Sequence, residues 1–235
     1  MPEMIVALDL PTPQAALALV DRIGDAAGYY KVGPALYTVT GPELLRALRR
    51  KGKRIFLDLK FHDIPNTVAH AVAAAASLEV ELLTVHASGG TAMMRAAREA
   101  AGTDGPRLLG VTLLTSFTPG DVEVVWGKQL LSLREEVARL TNLAYEAGLD
   151  GVVTSVLEAE AMKRRYGPEF LVATPGIRPT GELQGDQART ATPAEAVKAG
   201  SDFLVVGRPI TMAPDPAEAA VRIRAEMESA LEATG

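Results

Sequence analysis

The 235-residue chain has no cysteine, one tryptophan, three histidines and two asparagines (Asn66 and Asn142). Without cysteine there are no disulfides, thiolate metal sites or cysteine nucleophiles. The three histidines, His62, His70 and His86, do not have the spacing of a metal-ligand set, so no metal is expected. No cofactor-binding motif is visible either, and none is expected. No apolar run reaches the roughly 18 residues that a membrane helix requires, which argues against a membrane partner. The N-terminus enters a strand-like run within four residues, so no signal peptide is expected and the cytoplasm is the expected location. Basic residues are scattered through a chain of net charge -5, so a nucleic-acid partner is not expected. Scarce asparagine with abundant arginine and alanine fits a thermophilic source or a GC-rich genome.

What is present is regular. With 48% hydrophobic and 23% charged residues, the composition is that of a soluble globular protein. Eight short apolar runs recur: MIVALDL (4–10), YYKVG (29–33), RIFLDLKF (54–61), LLTVHA (82–87), LLGVTLLT (108–115), GVVTSV (151–156), FLVATPGI (170–177) and FLVVGRPI (203–210). They are nearly continuous in Val, Leu and Ile, as strands buried on both faces should be. Amphipathic helical stretches follow them at 13–24, 41–52, 67–78, 90–101, 130–148, 158–167, 193–200 and 215–232. Gly52, Gly148, Gly167 and Gly200 sit where left-handed caps would end helices, and Pro42, Pro193 and Pro216 at first turns. Eight alternating βα units predict the α/β class, with residues 1–235 forming a single (β/α)8 TIM barrel domain. An open doubly wound sheet is the rival; the even count and the lack of GxGxxG weigh against it.

Active sites of such barrels lie at the C-terminal strand ends, and the polar residues collect there. Asp9 ends the first run, Lys31 lies late in the second, and Asp58 and Lys60 end the third. His86, Thr115 with Ser116, Arg178 and Gly207-Arg208 close the fourth, fifth, seventh and eighth. In FLDLKFHDIPNT (56–67), Asp58 and Lys60 are two apart, so they share a face with α-carbons about 7 Å apart. Asp63 follows in the loop before Pro65, and Lys31, one strand over, is placed to stand between Asp58 and Asp63. An alternating Lys-Asp array is internally neutral, which explains how it is tolerated inside. A structural salt-bridge network at the rim is the competing explanation of the triplet alone. Four ionised groups from two adjacent strands at the mouth favour function.

VVGRPI (205–210) has the makings of a phosphate site after the eighth strand: Gly207 admits a ligand to the backbone, and Arg208 pairs with phosphate oxygens. An ordinary strand-end turn with a surface arginine is the plainer alternative. TPGIRPTGELQGDQ (174–187) is long for a barrel connection, with three Gly and two Pro, as a functional lid would be. It brings Arg178 and Gln187 to the same phosphate. His86 reads more readily as a packed histidine than as a base, Met93-Met94 as core filling, and Trp126 as either an anchor or a substrate wall in the loop after strand five.

These motifs resemble those of the bacterial-type orotidine 5′-phosphate decarboxylase family. The resemblance runs through ALD (7–9), KVG (31–33), DLKFHDIPNT (58–67), HASGG (86–90), LTS (114–116), TPGIRP (174–179), DQ (186–187) and VVGRPI (205–210). DxKxxD with its DIPNT continuation is specific, whereas DxK alone is shared with related barrels. The stretch from Phe117 to Gln129 aligns least well. The resemblance implies cofactor-independent decarboxylation of orotidine 5′-phosphate to UMP, in a homodimer. It implies that Lys60 donates the proton and that Lys31, Asp58 and Asp63 complete the charged array, with Asp63 supplied across the interface. It further implies that Asp9 and the partner-derived Thr67 contact the ribose and that Thr115 or Ser116 contacts the pyrimidine. Arg178, Gln187, Gly207 and Arg208 would hold the phosphate. Three alternatives remain: a metal-assisted sugar-phosphate aldolase or decarboxylase, a Schiff-base aldolase acting through Lys60, and a non-catalytic nucleotide-binding barrel. Lys31 in place of an acid on strand two counts against the first, and the carboxylates around Lys60 favour a cationic role over the second.

Overall fold

The computed structural model describes residues 1–127, 132–179 and 189–233. The first half runs β1 (Glu3–Ala7), α1 (Pro13–Ile23), β2 (Tyr29–Val32), α2 (Pro34–Thr40), α3 (Glu43–Arg50), β3 (Arg54–Phe61), α4 (Pro65–Ala76), β4 (Leu82–His86) and α5 (Gly90–Ala101). The second runs β5 (Arg107–Val111), α6 (Pro119–Trp126), α7 (Leu133–Glu146), β6 (Gly151–Val153), α8 (Val156–Tyr166), β7 (Leu171–Thr174), α9 (Pro193–Lys198), β8 (Phe203–Val206), α10 (Arg208–Thr211) and α11 (Pro216–Glu232). The eight strands are parallel and close on themselves in sequence order, with β8 pairing β1. This is the (β/α)8 barrel.

Alternation along each strand builds two cores. Ile5, Tyr29, Phe56, Leu82, Leu109, Ala173 and Phe203 point inward and fill the barrel. Their neighbours Val6, Tyr30, Leu57, Leu83, Leu108 and Leu204 point outward and bury the apolar faces of the helices. Helix starts follow local chemistry: side-chain oxygens of Thr12, Thr118, Ser132, Ser155, Thr192 and Asp215 accept N–H bonds in the first turns of α1, α6, α7, α8, α9 and α11. At the far end of α8, Gly167 takes a φ of 88°, which only glycine adopts without strain.

Apart from β3, which fills its run, the strands end before their hydrophobic runs do. Leu8, Leu113, Ile177 and Ile210 lie past the strand ends within these runs and are buried. Hydrophobicity reports burial, and burial continues past the strand ends. The helix expected over 41–52 is α3 alone, preceded by the separate α2, and Pro42 precedes its first turn as the cap. Trp126 ends a helix, α6, where a loop was expected; the reciprocal Thr118–Asp121 cap starts that helix.

Candidate active site

A cavity of about 440 Å³ opens at the C-terminal ends of the strands. Its floor is the top of the barrel interior, formed by Ala7, Phe56, Val153 and Val205. Over β2 and β3 the wall is a chain of charges. Lys31 Nζ lies 2.9 Å from Asp9 Oδ1 and 3.5 Å from Asp58 Oδ2. Lys60 Nζ donates to the same Asp58 oxygen at 2.8 Å. Two ammoniums thus converge on one carboxylate, and the four groups sum to zero charge.

Asp58 is 8% exposed, which would ordinarily be prohibitive for a carboxylate. Burial pushes its proton affinity up. Lys31 and Lys60, with hydrogen bonds from Lys60 and Thr84, more than offset this and hold the carboxyl below its ordinary value. Asp58 is therefore an anion at neutral pH.

Lys60 reaches the cavity by an irregular route. β3 extends to Phe61, and its pairing with β4 shifts register between Leu57 and Phe61. Within that shift Lys60 has φ 51°, left-handed for a side-chain-bearing residue. Such a conformation costs about 1–3 kcal/mol and persists only where surrounding contacts impose it. The Lys60 N–H donates to Thr84 Oγ1 on β4 at 2.9 Å. The Thr84 hydroxyl in turn donates to Asp58 Oδ1 at 3.0 Å. Asp58 and Lys60 do line one cavity, as their spacing predicts, but not by simple alternation.

Within its own chain, Asp63 does not join the array. Lys31 stands between Asp9 and Asp58 rather than between Asp58 and Asp63. Asp63 is exposed beyond the strand end, where its Oδ1 accepts the Ile64 N–H at 2.6 Å, and it does not line the cavity. Pro65 opens α4 two residues later. Thr67, in the first turn of α4, is likewise exposed and away from the cavity.

Across the mouth, over the adjacent strands β7 and β8, the cavity is lined by Gly176, Arg178, Gly207 and Arg208. Arg178 is 9% exposed, and its guanidinium donates to the Ile177 carbonyl at 2.8 Å. Gln187 lies outside the described residues, as does half of the long connection after β7. Thr115 lines the cavity after β5, whereas Ser116 is exposed and does not. His86 is packed beside His62, ring centroids 5.3 Å apart, with Ser88 Oγ 3.2 Å from its Nδ1. Burial first, then the His62 and Lys60 charges, against an opposing Asp58, lower its pKa to about 4, so it is neutral at pH 7. Neither His86 nor Trp126 lines the cavity. Among the described residues, no three His, Cys, Asp or Glu side chains are grouped to hold a metal ion.

Thr84 was not legible as a site residue, because one threonine in LLTVHA is what any strand tolerates. The arrangement offers a fixed cationic centre at one wall of a cavity and arginines at the other. That suits an anionic substrate on which negative charge develops near Lys60.

Residues 2–223 match the model of the orotidine 5′-phosphate decarboxylase / HUMPS family. The chain belongs to this family. Among curated members, orotidine 5′-phosphate decarboxylase of Vibrio campbellii is 51% identical over 218 residues, covering 92% of this chain and 93% of that one. The protein of the same name from Moorella thermoacetica is 48% identical over 233 residues, 96% and 92% of the two chains. The crystal structure of the Lactobacillus acidophilus orotidine 5′-phosphate decarboxylase superposes with a TM-score of 0.85 at 38% identity, covering 97% of this chain and 99% of that one. Family membership spans every strand of the barrel and both walls of the cavity.

Proposed function

We propose that this protein decarboxylates orotidine 5′-phosphate to UMP without a cofactor, as a single catalytic barrel domain acting within a cytoplasmic homodimer. The observation that carries the reading is the Asp9–Lys31–Asp58–Lys60 chain at the cavity wall. Breaking the bond from C6 to the carboxyl group releases CO2 and leaves an electron pair in an in-plane orbital that the pyrimidine cannot delocalise. The Lys60 ammonium faces that charge as it forms and then transfers a proton to C6, giving UMP; water reprotonates the amine. Asp58 and Lys31 fix the ammonium before substrate arrives, so little reorganisation is needed during the reaction. Arg178, Gln187, Gly207 and Arg208 take the phosphate, Asp9 the ribose and Thr115 the pyrimidine edge. Binding energy gained at the phosphate, remote from C6, is available to the transition state.

Asp63 and Thr67 are assigned to the neighbouring subunit's site. Both are exposed and neither lines its own cavity, and the adjoining Ile64 is 66% exposed, an apolar surface that a two-fold interface would cover. Metal-assisted sugar-phosphate chemistry is disfavoured by the cavity wall itself: the Lys31 ammonium occupies the space between Asp9 and Asp58 that a cation would need. The deciding assay is loss of orotidine 5′-phosphate absorbance in the presence of EDTA. Undiminished turnover is expected; loss restored by Mg2+ would transfer the protein to the metal-assisted reading.

A further inference from the structure

Thr84 is a fully buried hydroxyl in the middle of β4, flanked by Leu83 and Val85. A valine of the same shape would fill that space, so packing does not call for the oxygen. Buried hydroxyls are retained where their hydrogen bonds are used. Both bonds of this one go to the charged wall: Oγ1 accepts the Lys60 N–H at 2.9 Å and donates to Asp58 Oδ1 at 3.0 Å. The first is made to a residue whose φ is 51°, at the one place where β3 and β4 slip register. The second fixes the Asp58 oxygen other than the one that receives Lys60 and Lys31. Thr84 itself does not line the cavity.

We infer that Thr84 is a positioning residue for the decarboxylation, a hydroxyl clamp that holds the Lys60 backbone in its left-handed turn and the Asp58 carboxylate in register beneath the ammonium. The inference rests on the decarboxylase reading and deepens it. It acts on the placement of the proton donor, not on the phosphate end of the site. The clamp should therefore affect the chemical step and leave nucleotide binding intact.

The test compares wild type, Thr84→Val and Thr84→Ser in steady-state turnover of orotidine 5′-phosphate and in equilibrium binding of UMP, which lacks the carboxyl group. Thr84→Val is expected to lower kcat about ten- to a hundredfold, the effect of removing a hydrogen bond to a charged group. KM and the UMP Kd should stay within about twofold, and Thr84→Ser should recover kcat to within about threefold of wild type. Should Thr84→Val fail to fold, Thr84→Ala removes the same hydroxyl and is read the same way. An unchanged kcat in Thr84→Val, or parallel losses of kcat and UMP affinity that serine does not rescue, would overturn the clamp. A wild-type protein that binds UMP without turning over orotidine 5′-phosphate would instead overturn the decarboxylase reading, and the clamp with it.

Discussion

In the proposed reaction Lys60 combines two tasks, electrostatic partner and proton source, and both depend on an ammonium held by Asp58 at 2.8 Å. Lys60→Ala removes both at once. The expected loss in kcat/KM exceeds about a thousandfold, with the fold retained by circular dichroism. Retention of a tenth of the activity would place the donor elsewhere. His86 gives a separate, pH-dependent signal. Its pKa is lowered from 6.5 to about 4, first by burial and then by His62 and Lys60, with Asp58 opposing. The unfolded chain therefore binds the proton more readily than the folded one between those values. Stability is unaffected above the upper value and falls as pH drops from 6.5 towards about 4. Replacing His86 with Gln should flatten this limb of the thermal midpoint against pH. An unaltered slope would assign the titration to another group.

Strand β6 is three residues long and depends on close approach to β7: a Cβ on Gly151 would lie 2.1 Å from the Leu171 carbonyl oxygen and 2.6 Å from its Cβ. Gly151→Ala must push two strand backbones apart. A loss of about 1–3 kcal/mol is expected, read by denaturant unfolding, and a neutral outcome would show that β6 shifts freely. At this scale the sequence was informative where apolar periodicity and burial coincide. All eight strands and their helices lie where the runs of Val, Leu and Ile place them, within a few residues. It was silent where hydrogen bonding, not hydrophobicity, decides. α2, α6 and α10 start at Gly33-Pro34, Thr118-Pro119 and Gly207-Arg208, stretches whose glycines and prolines read equally well as loop. The charged residues of the wall could be found from strand-end position alone. The exchange of Asp63 for Asp9 beside Lys31 could not, because it depends on where the loops after β1 and β3 turn. Thr84 was hidden for a similar reason: its partners are set by a register slip that no spacing rule anticipates.

Over the whole molecule, the absence of Asp63 from its own cavity predicts a site completed by two chains. Lys60→Ala and Asp63→Ala homodimers should each be nearly inactive. Mixed under free subunit exchange, about half the dimers become hybrids with one native site, restoring roughly a quarter of wild-type activity. No recovery, with exchange verified by tagged subunits, would assign Asp63 to its own chain. The cancellation of charge along Asp9, Lys31, Asp58 and Lys60 has a different reach. The quartet is neutral overall, with Lys31 and Asp58 buried and Asp9 exposed, so it projects little net field into solvent and does little to draw in a substrate carrying a phosphate and a carboxylate. In the proposed reading capture falls to the arginines over β7 and β8, of which Arg208 is exposed to mobile ions. At 0.15 M salt the screening length is about 8 Å, long compared with the contacts inside the quartet and short compared with the approach of a nucleotide from bulk water. Added salt should therefore raise KM while leaving kcat nearly flat. The protein would then be an enzyme whose appetite depends on ionic strength and whose chemistry does not.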